Sequence, residues 1–163
     1  MYFSVKLMDF LEEKFKGVVD KAGNPYIVHC LDVAKNALTI AQRLSDIPQY
    51  SISTAYFAGL CHDLLEDTDT TVEELEELIG KEATEIVKLC THSTPYNRKE
   101  YDNKILENKI ATIVKMSDFI DNSRTDRYPS EKITKNVISQ CNAYKKRAGE
   151  FATALLLNEF KEK

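Results

Sequence analysis

The chain has 163 residues, 43% apolar and 29% charged, the balance of one globular domain with a buried core, so residues 1–163 are read as a single domain. A net charge of −4 excludes a general nucleic-acid binder, which needs basic excess, but admits an anionic nucleotide whose charge a metal and local lysines offset. No apolar run approaches membrane-spanning length, no signal-peptide core opens the chain, and the four cysteines are scattered without a CxxC pair. These features predict a cytoplasmic protein with reduced thiols and no membrane partner, and they assign no oligomeric state.

Helical spacing dominates, and strand-like alternation is scarce. The first helix is predicted over about residues 4–19, with Leu7, Phe10, Leu11, Phe15, Val18 and Val19 inward. Lys21-Ala22-Gly23-Asn24-Pro25 forms a turn, and Pro25 opens a second helix that runs to about Leu44. Its predicted inner face is Ile27, Leu31, Ala34, Leu38 and Ala41. A loop with Pro48 follows, then a third helix over about 51–65. Thr70-Thr71-Val72-Glu73-Glu74 has the form of a capping box for a short helix that stops at Gly80, and another helix follows over about 81–91. Thr91 to Asn103 is expected to be a polar loop. Ile105 to Arg124 is expected to be helical, and Pro129 precedes a last helix over about 130–160. The predicted fold class is all-α, a bundle of roughly seven helices.

Chemistry concentrates at the end of the third predicted helix. His62-Asp63-Leu64-Leu65-Glu66-Asp67-Thr68 sets one imidazole and three carboxylates beside the apolar segment Ala55 to Leu60. On a continuous helix His62, Asp63, Glu66 and Asp67 fall within a fan of about 140°. Such groups repel and desolvate one another unless a divalent cation offsets them. His29, on the first turn of the second helix, and Asp118, in Val114-Lys115-Met116-Ser117-Asp118, are the candidates to complete the site. His29, His62, Asp63 and Asp118 suit Mn²⁺, Fe²⁺ or Zn²⁺, with positions left for water and a phosphoryl oxygen. Glu66 and Asp67 would then orient and deprotonate the attacking water. Asp118, Asn122 and Thr125 share a predicted helical stripe suited to a base or sugar, and Lys21 precedes His29 within reach of a phosphate. Each residue has a blander reading. A lone helical His is usually structural, His92 is read as a loop residue, and Glu73, Glu74, Glu76 and Glu77 as a solvated face. The joint pattern outweighs these.

In that order, His29, His62-Asp63 and Asp118 resemble the HD phosphohydrolase superfamily. The wider motifs are Ala22-Gly23-Asn24-Pro25-Tyr26-Ile27-Val28-His29, His62 through Thr68, and Lys115-Met116-Ser117-Asp118-Phe119-Ile120-Asp121-Asn122-Ser123-Arg124-Thr125. They resemble the hydrolase domain of the RelA/SpoT family over roughly residues 5–130, in a chain of stand-alone SpoT or Mesh size. The resemblance implies an HD-type helical bundle and Mn²⁺-dependent removal of the 3′-pyrophosphate from guanosine 3′,5′-bis(diphosphate). It implies that His29, His62, Asp63 and Asp118 hold the metal, that Glu66 and Asp67 activate water, and that Lys21, Asn122 and Thr125 meet the nucleotide. One position departs. Members often carry an arginine that packs on the guanine just before the lysine, and here that position is Asp20. An HD-type 5′-nucleotidase or other phosphatase, and a non-catalytic helical scaffold, are the competing readings.

Overall fold

The computed structural model describes the backbone of residues 2–92 and 94–161, and side chains over 5–92 and 94–157; Ser93 of the expected loop lies outside these described residues. Its helices in order are α1 (Tyr2–Lys14), α2 (Tyr26–Arg43), α3 (Gln49–Cys61), α4 (Leu64–Asp67), α5 (Val72–Cys90), α6 (Arg98–Leu106), α7 (Lys109–Asn122) and α8 (Lys135–Lys161), with a 3-10 turn over Ser130–Lys132. The all-α expectation holds. Among the described residues the only extended pairing is an isolated bridge between Val19 and Pro25.

α7 forms the spine. Every residue from Ala111 to Phe119 is buried, because α2, α3, α5, α6 and α8 all pack on it. Phe119 is enclosed by Tyr144, Phe151 and the guanidinium of Arg147, so truncating it would cost about 3–5 kcal/mol. α2 meets α3 through small residues, and Gly59 is required there: a Cβ would lie 3.0 Å from the Ala34 Cα. The two helices that deliver His29 and His62 can therefore approach backbone to backbone.

Several expected boundaries shift, each for a local reason. α1 ends at Lys14 and the chain turns back to pair Val19 with Pro25, so Val18 and Val19 are exposed rather than inward. On α2 the buried face is His29, Cys30, Val33, Ala34, Ala37 and Ala41, rotated from the expected one, and Leu31 is exposed. The expected loop after Thr91 is shorter, because the Asn97 side chain accepts from the Glu100 N–H and caps α6. The capping box expected within residues 70–74 forms, between Thr71 and Glu74. Gly80, at φ 79°, kinks α5 where the first helical run was expected to stop. The last helix begins at Lys135, and Ile133 is exposed before it. Among the described residues no helix is long and apolar enough to cross a membrane, and all four cysteines are free and buried.

Candidate metal centre and substrate cavity

The apolar third helix does not continue through the acidic run. It ends at Cys61, His62 and Asp63 form a turn, with Asp63 at φ −101° and ψ −1°, and α4 restarts at Leu64. This break replaces the expected continuous fan. It turns His62 and Asp63 inward, while Glu66 and Asp67 stand on a separate turn with more solvent around them. α2 brings His29 against His62, with ring centroids 5.2 Å apart, and α7 brings Asp118 beneath both.

His29, His62 and Asp118 are buried and offer ligand atoms within 4.8 Å of one another. Asp118 Oδ1 lies 3.4 Å from His29 Nε2 and 3.7 Å from His62 Nε2. Asp63 joins them, with Oδ2 2.8 Å from His62 Nε2 and 3.8 Å from His29 Nε2. The structure thus brings together the four residues expected to bind metal.

Their outer nitrogens fix their tautomers. His62 Nδ1 donates to the Gly59 carbonyl at 2.9 Å, and His29 Nδ1 lies 2.6 Å from Asp121 Oδ2. Both Nε2 atoms then face the cup. His62 Nε2 is fully buried and, despite its nearness to Asp63, has no well-directed hydrogen bond. A buried imidazole lone pair without a directed donor, facing two carboxylates, is what a divalent cation would satisfy. The residues present therefore fit a metal.

The charges agree. Burial opposes protonation of His62, but Asp63 and Asp118 overcome it and push the imidazole up to about 10. Burial likewise opposes the raised value of His29, which its bonds to Asp118 and Asp121 produce. Burial works against ionising Asp63, yet the His62 charge holds it down to about 2. For Asp118, Lys115 and the two imidazoles outweigh burial and hold the carboxyl well below the carboxylate range. The two carboxylates that raise the imidazoles would equally attract a cation, which would compete with protons for the ring nitrogens.

Above the cup opens a cavity of about 400 Å³, lined by Lys21, Tyr26, His29, Asp63, Glu66, Asp67, Lys115, Asp118, Asn122, Arg127, Tyr128 and Tyr144, among others. Glu66 and Asp67 flank it. Burial, then Asp63 and Glu66, raise the Asp67 carboxyl above its ordinary value, an environment suited to proton exchange. Tyr26 Oη donates to Asp63 Oδ2 at 2.5 Å and lies 3.4 Å from Asp67 Oδ2, joining the cup to the acid pair. Lys21 Nζ sits 3.3 Å from Tyr144 Oη and over that ring. Asn122 Nδ2 donates to Asp118 Oδ1. Thr125 is not brought to the cavity: α7 ends at Asn122, so the expected helical stripe breaks and Thr125 is exposed.

Asp20 proves to be a structural acid. Its carboxylate accepts the Ala22 and Asn24 N–H groups at 2.9 and 2.8 Å and pairs with Arg127 at 2.5 Å. Arg127 also grips Asp121, so a chain of contacts runs Asp20–Arg127–Asp121–His29. The negative charge at position 20 is thus paired, and a guanidinium enters the cavity wall from another part of the chain. Sequence reasoning missed Tyr26, Lys115, Asp121, Arg127, Tyr128 and Tyr144 as cavity or support residues. Tyr26, Lys115 and Asp121 lie inside the quoted motifs and were findable there. Arg127, Tyr128 and Tyr144 follow from packing of the segment after α7, which has no local signal.

Comparison with known proteins identifies the family and the fold. The HD domain family matches residues 8–124. A guanosine-3′,5′-bis(diphosphate) 3′-pyrophosphohydrolase of Aquifex aeolicus is 34% identical over 125 residues, 72% of this chain but 17% of that protein. The MESH1 guanosine-3′,5′-bis(diphosphate) 3′-pyrophosphohydrolase of Danio rerio is 31% identical over 127 residues, 74% of this chain and 67% of the relative. The chain thus spans about a sixth of the length of the long relative and two thirds of the short one. A solved structure described as a metazoan ortholog of SpoT that hydrolyzes ppGpp superposes with a TM-score of 0.66 at 21% identity, over 95% of this chain and 86% of that one, and shows the shared fold.

Proposed function

The chain belongs to the HD domain family, and on that premise we propose that it hydrolyses guanosine 3′,5′-bis(diphosphate) to GDP and pyrophosphate with Mn²⁺. The observation that supports this most is the joint one: a buried His–His–Asp cup fit for a cation, with Glu66 and Asp67 on the same cavity wall. Relatives with that printed activity support the choice of substrate.

In this reading His29, His62, Asp63 and Asp118 hold the metal. When bound, the ion supplies Lewis-acid stabilisation of phosphoryl charge. Glu66 and Asp67 orient a water toward the phosphorus on the ribose 3′ oxygen and take its proton. The bond between that phosphorus and the 3′ oxygen breaks, the oxygen is protonated, and pyrophosphate leaves. Lys21 meets phosphate charge at the rim, and Lys115, paired to Asp118 at 3.0 Å, adds buried positive charge beneath it. Tyr128 and Tyr144 line the cavity where the base would lie. Asn122, engaged through Nδ2, has Oδ1 left to meet the sugar. Thr125 is exposed and stands outside the cavity lining, so this reading gives it no contact. The four free buried thiols suit a cytoplasmic setting.

The test is a panel of nucleotides with Mn²⁺, with Asp63→Ala as control. The reading expects GDP and pyrophosphate from the bis(diphosphate) and little turnover of plain 5′-monophosphates. Activity on the monophosphates alone would replace it with a nucleotidase.

A further inference from the structure

His92 reads from the sequence as an isolated loop histidine, yet it makes the most specific contact to the acid pair. Its backbone N–H donates to Glu66 Oε2 at 3.1 Å, and its ring Nδ1 lies 2.8 Å from Glu66 Oε1. One residue therefore holds both oxygens of one carboxylate, across 26 positions of sequence. A carboxylate only accepts, so Nδ1 bears the proton.

The ring is itself held. Its centroid lies 4.5 Å from Tyr101 and 4.7 Å from Tyr96. Tyr101 is buried and its hydroxyl donates to the carbonyl of Cys90, the last residue of α5. Thr91, between Cys90 and His92, turns the chain out of the helix, with its N–H still on the Val87 and Lys88 carbonyls. The platform and the ring it supports are thus anchored to the same helix end. Glu66, on a single turn with solvent beside it, would otherwise divide its time among several rotamers.

We propose that His92 is a positioning residue for Glu66: ring and backbone together clamp the carboxylate in the orientation that faces the cavity. The inference rests on the water-activating role proposed for Glu66. The clamp removes rotamer freedom before substrate arrives, so its effect falls on the chemical step rather than on nucleotide binding.

His92→Phe keeps a ring on the tyrosine platform and deletes the donor. It should lower kcat about 10-fold or more, the lower end for an outer partner of a site residue, with KM within about twofold. His92→Asn, whose amide can donate from nearly the place of Nδ1, should restore kcat to within about threefold of wild type. In a Glu66→Gln background, His92→Phe should add less than about a twofold loss, because the two residues act as one unit. Independently of turnover, ¹⁵N spectra of metal-free protein should show His92 in the Nδ1–H form, and Glu66→Ala should abolish that preference. Wild-type kcat in His92→Phe, full additivity with Glu66→Gln, or an Nε2–H ring in the wild type would each overturn the clamp. If the wild type fails to hydrolyse the bis(diphosphate), the substrate reading fails, and the spectra still decide the clamp.

Discussion

The cup and the rim of the cavity are built on opposite principles. In the cup, His29, His62 and Asp118 are buried, each ring has its outer nitrogen assigned, and the groups are supported from behind by Gly59, Asp121 and Lys115. At the rim, Lys21, Glu66 and Asp67 are exposed and held by one or two partners each, Glu66 by His92 behind it. A buried charge must be fully partnered or it destabilises the fold, whereas an exposed one can exchange water for substrate. The cup is thus suited to retain an ion through a catalytic cycle. The rim is suited to bind, exchange protons and release.

If this division is right, damage to the two regions separates in the assay. Glu66→Gln with Asp67→Asn should lower turnover by about 10²–10⁴-fold, the range for losing acid–base catalysis, while bound metal per chain stays at the wild-type level. Full activity in the double variant would remove the pair from the mechanism. Behind the cup, Asp121→Asn should weaken metal affinity about 10–100-fold, because His29 loses the carboxylate that orients it. Titration of the metal-free variant with Mn²⁺ measures this, and unchanged affinity would make Asp121 a purely structural partner of Arg124 and Arg127.

Two smaller effects sharpen the contrast. Gly59→Ala forces a methyl against the Ala34 backbone and should cost about 1–3 kcal/mol of stability, read from urea midpoints. It should lower metal affinity as well, since α2 and α3 then separate the two imidazoles. Asp20→Asn addresses the rim. Burial opposes ionisation of Asp20, but Arg127 and the Asn24 N–H outweigh it, so its folded value is lowered. Its contribution is present above the ordinary carboxylate value of about 3.9 and is lost as pH falls through the lowered one. Wild type should lose stability in that acid window more steeply than Asp20→Asn, read from urea midpoints across the window. Parallel acid curves would show that the Asp20–Arg127 pair contributes nothing.

The same division explains what the sequence revealed. The cup was legible because its chemistry is written in residue type and spacing: His62 and Asp63 are adjacent, and His29 and Asp118 sit at recognisable places on two helices. The capping box at Thr71 and the interruption at Gly80 were legible for the same reason, being local. The turn at His62 and Asp63 was not, since no Gly or Pro marks it in the sequence. Val18 and Val19 misled because apolar spacing continued past the helix into a turn. The rim was largely hidden. Arg127 reaches Asp20 across the fold, Thr125 falls off a helix that ends three residues earlier, and His92 finds Glu66 only after α4 and α5 pack.

We propose above that this cavity performs metal-dependent hydrolysis of guanosine 3′,5′-bis(diphosphate). Single-turnover reaction of the purified chain with that nucleotide, before and after stripping with a chelator and after adding back Mn²⁺, tests it most directly. The account predicts release of GDP and pyrophosphate, abolished by stripping and restored by Mn²⁺ in wild type but not in His62→Ala. Turnover that survives stripping, or restoration in His62→Ala equal to wild type, would contradict it.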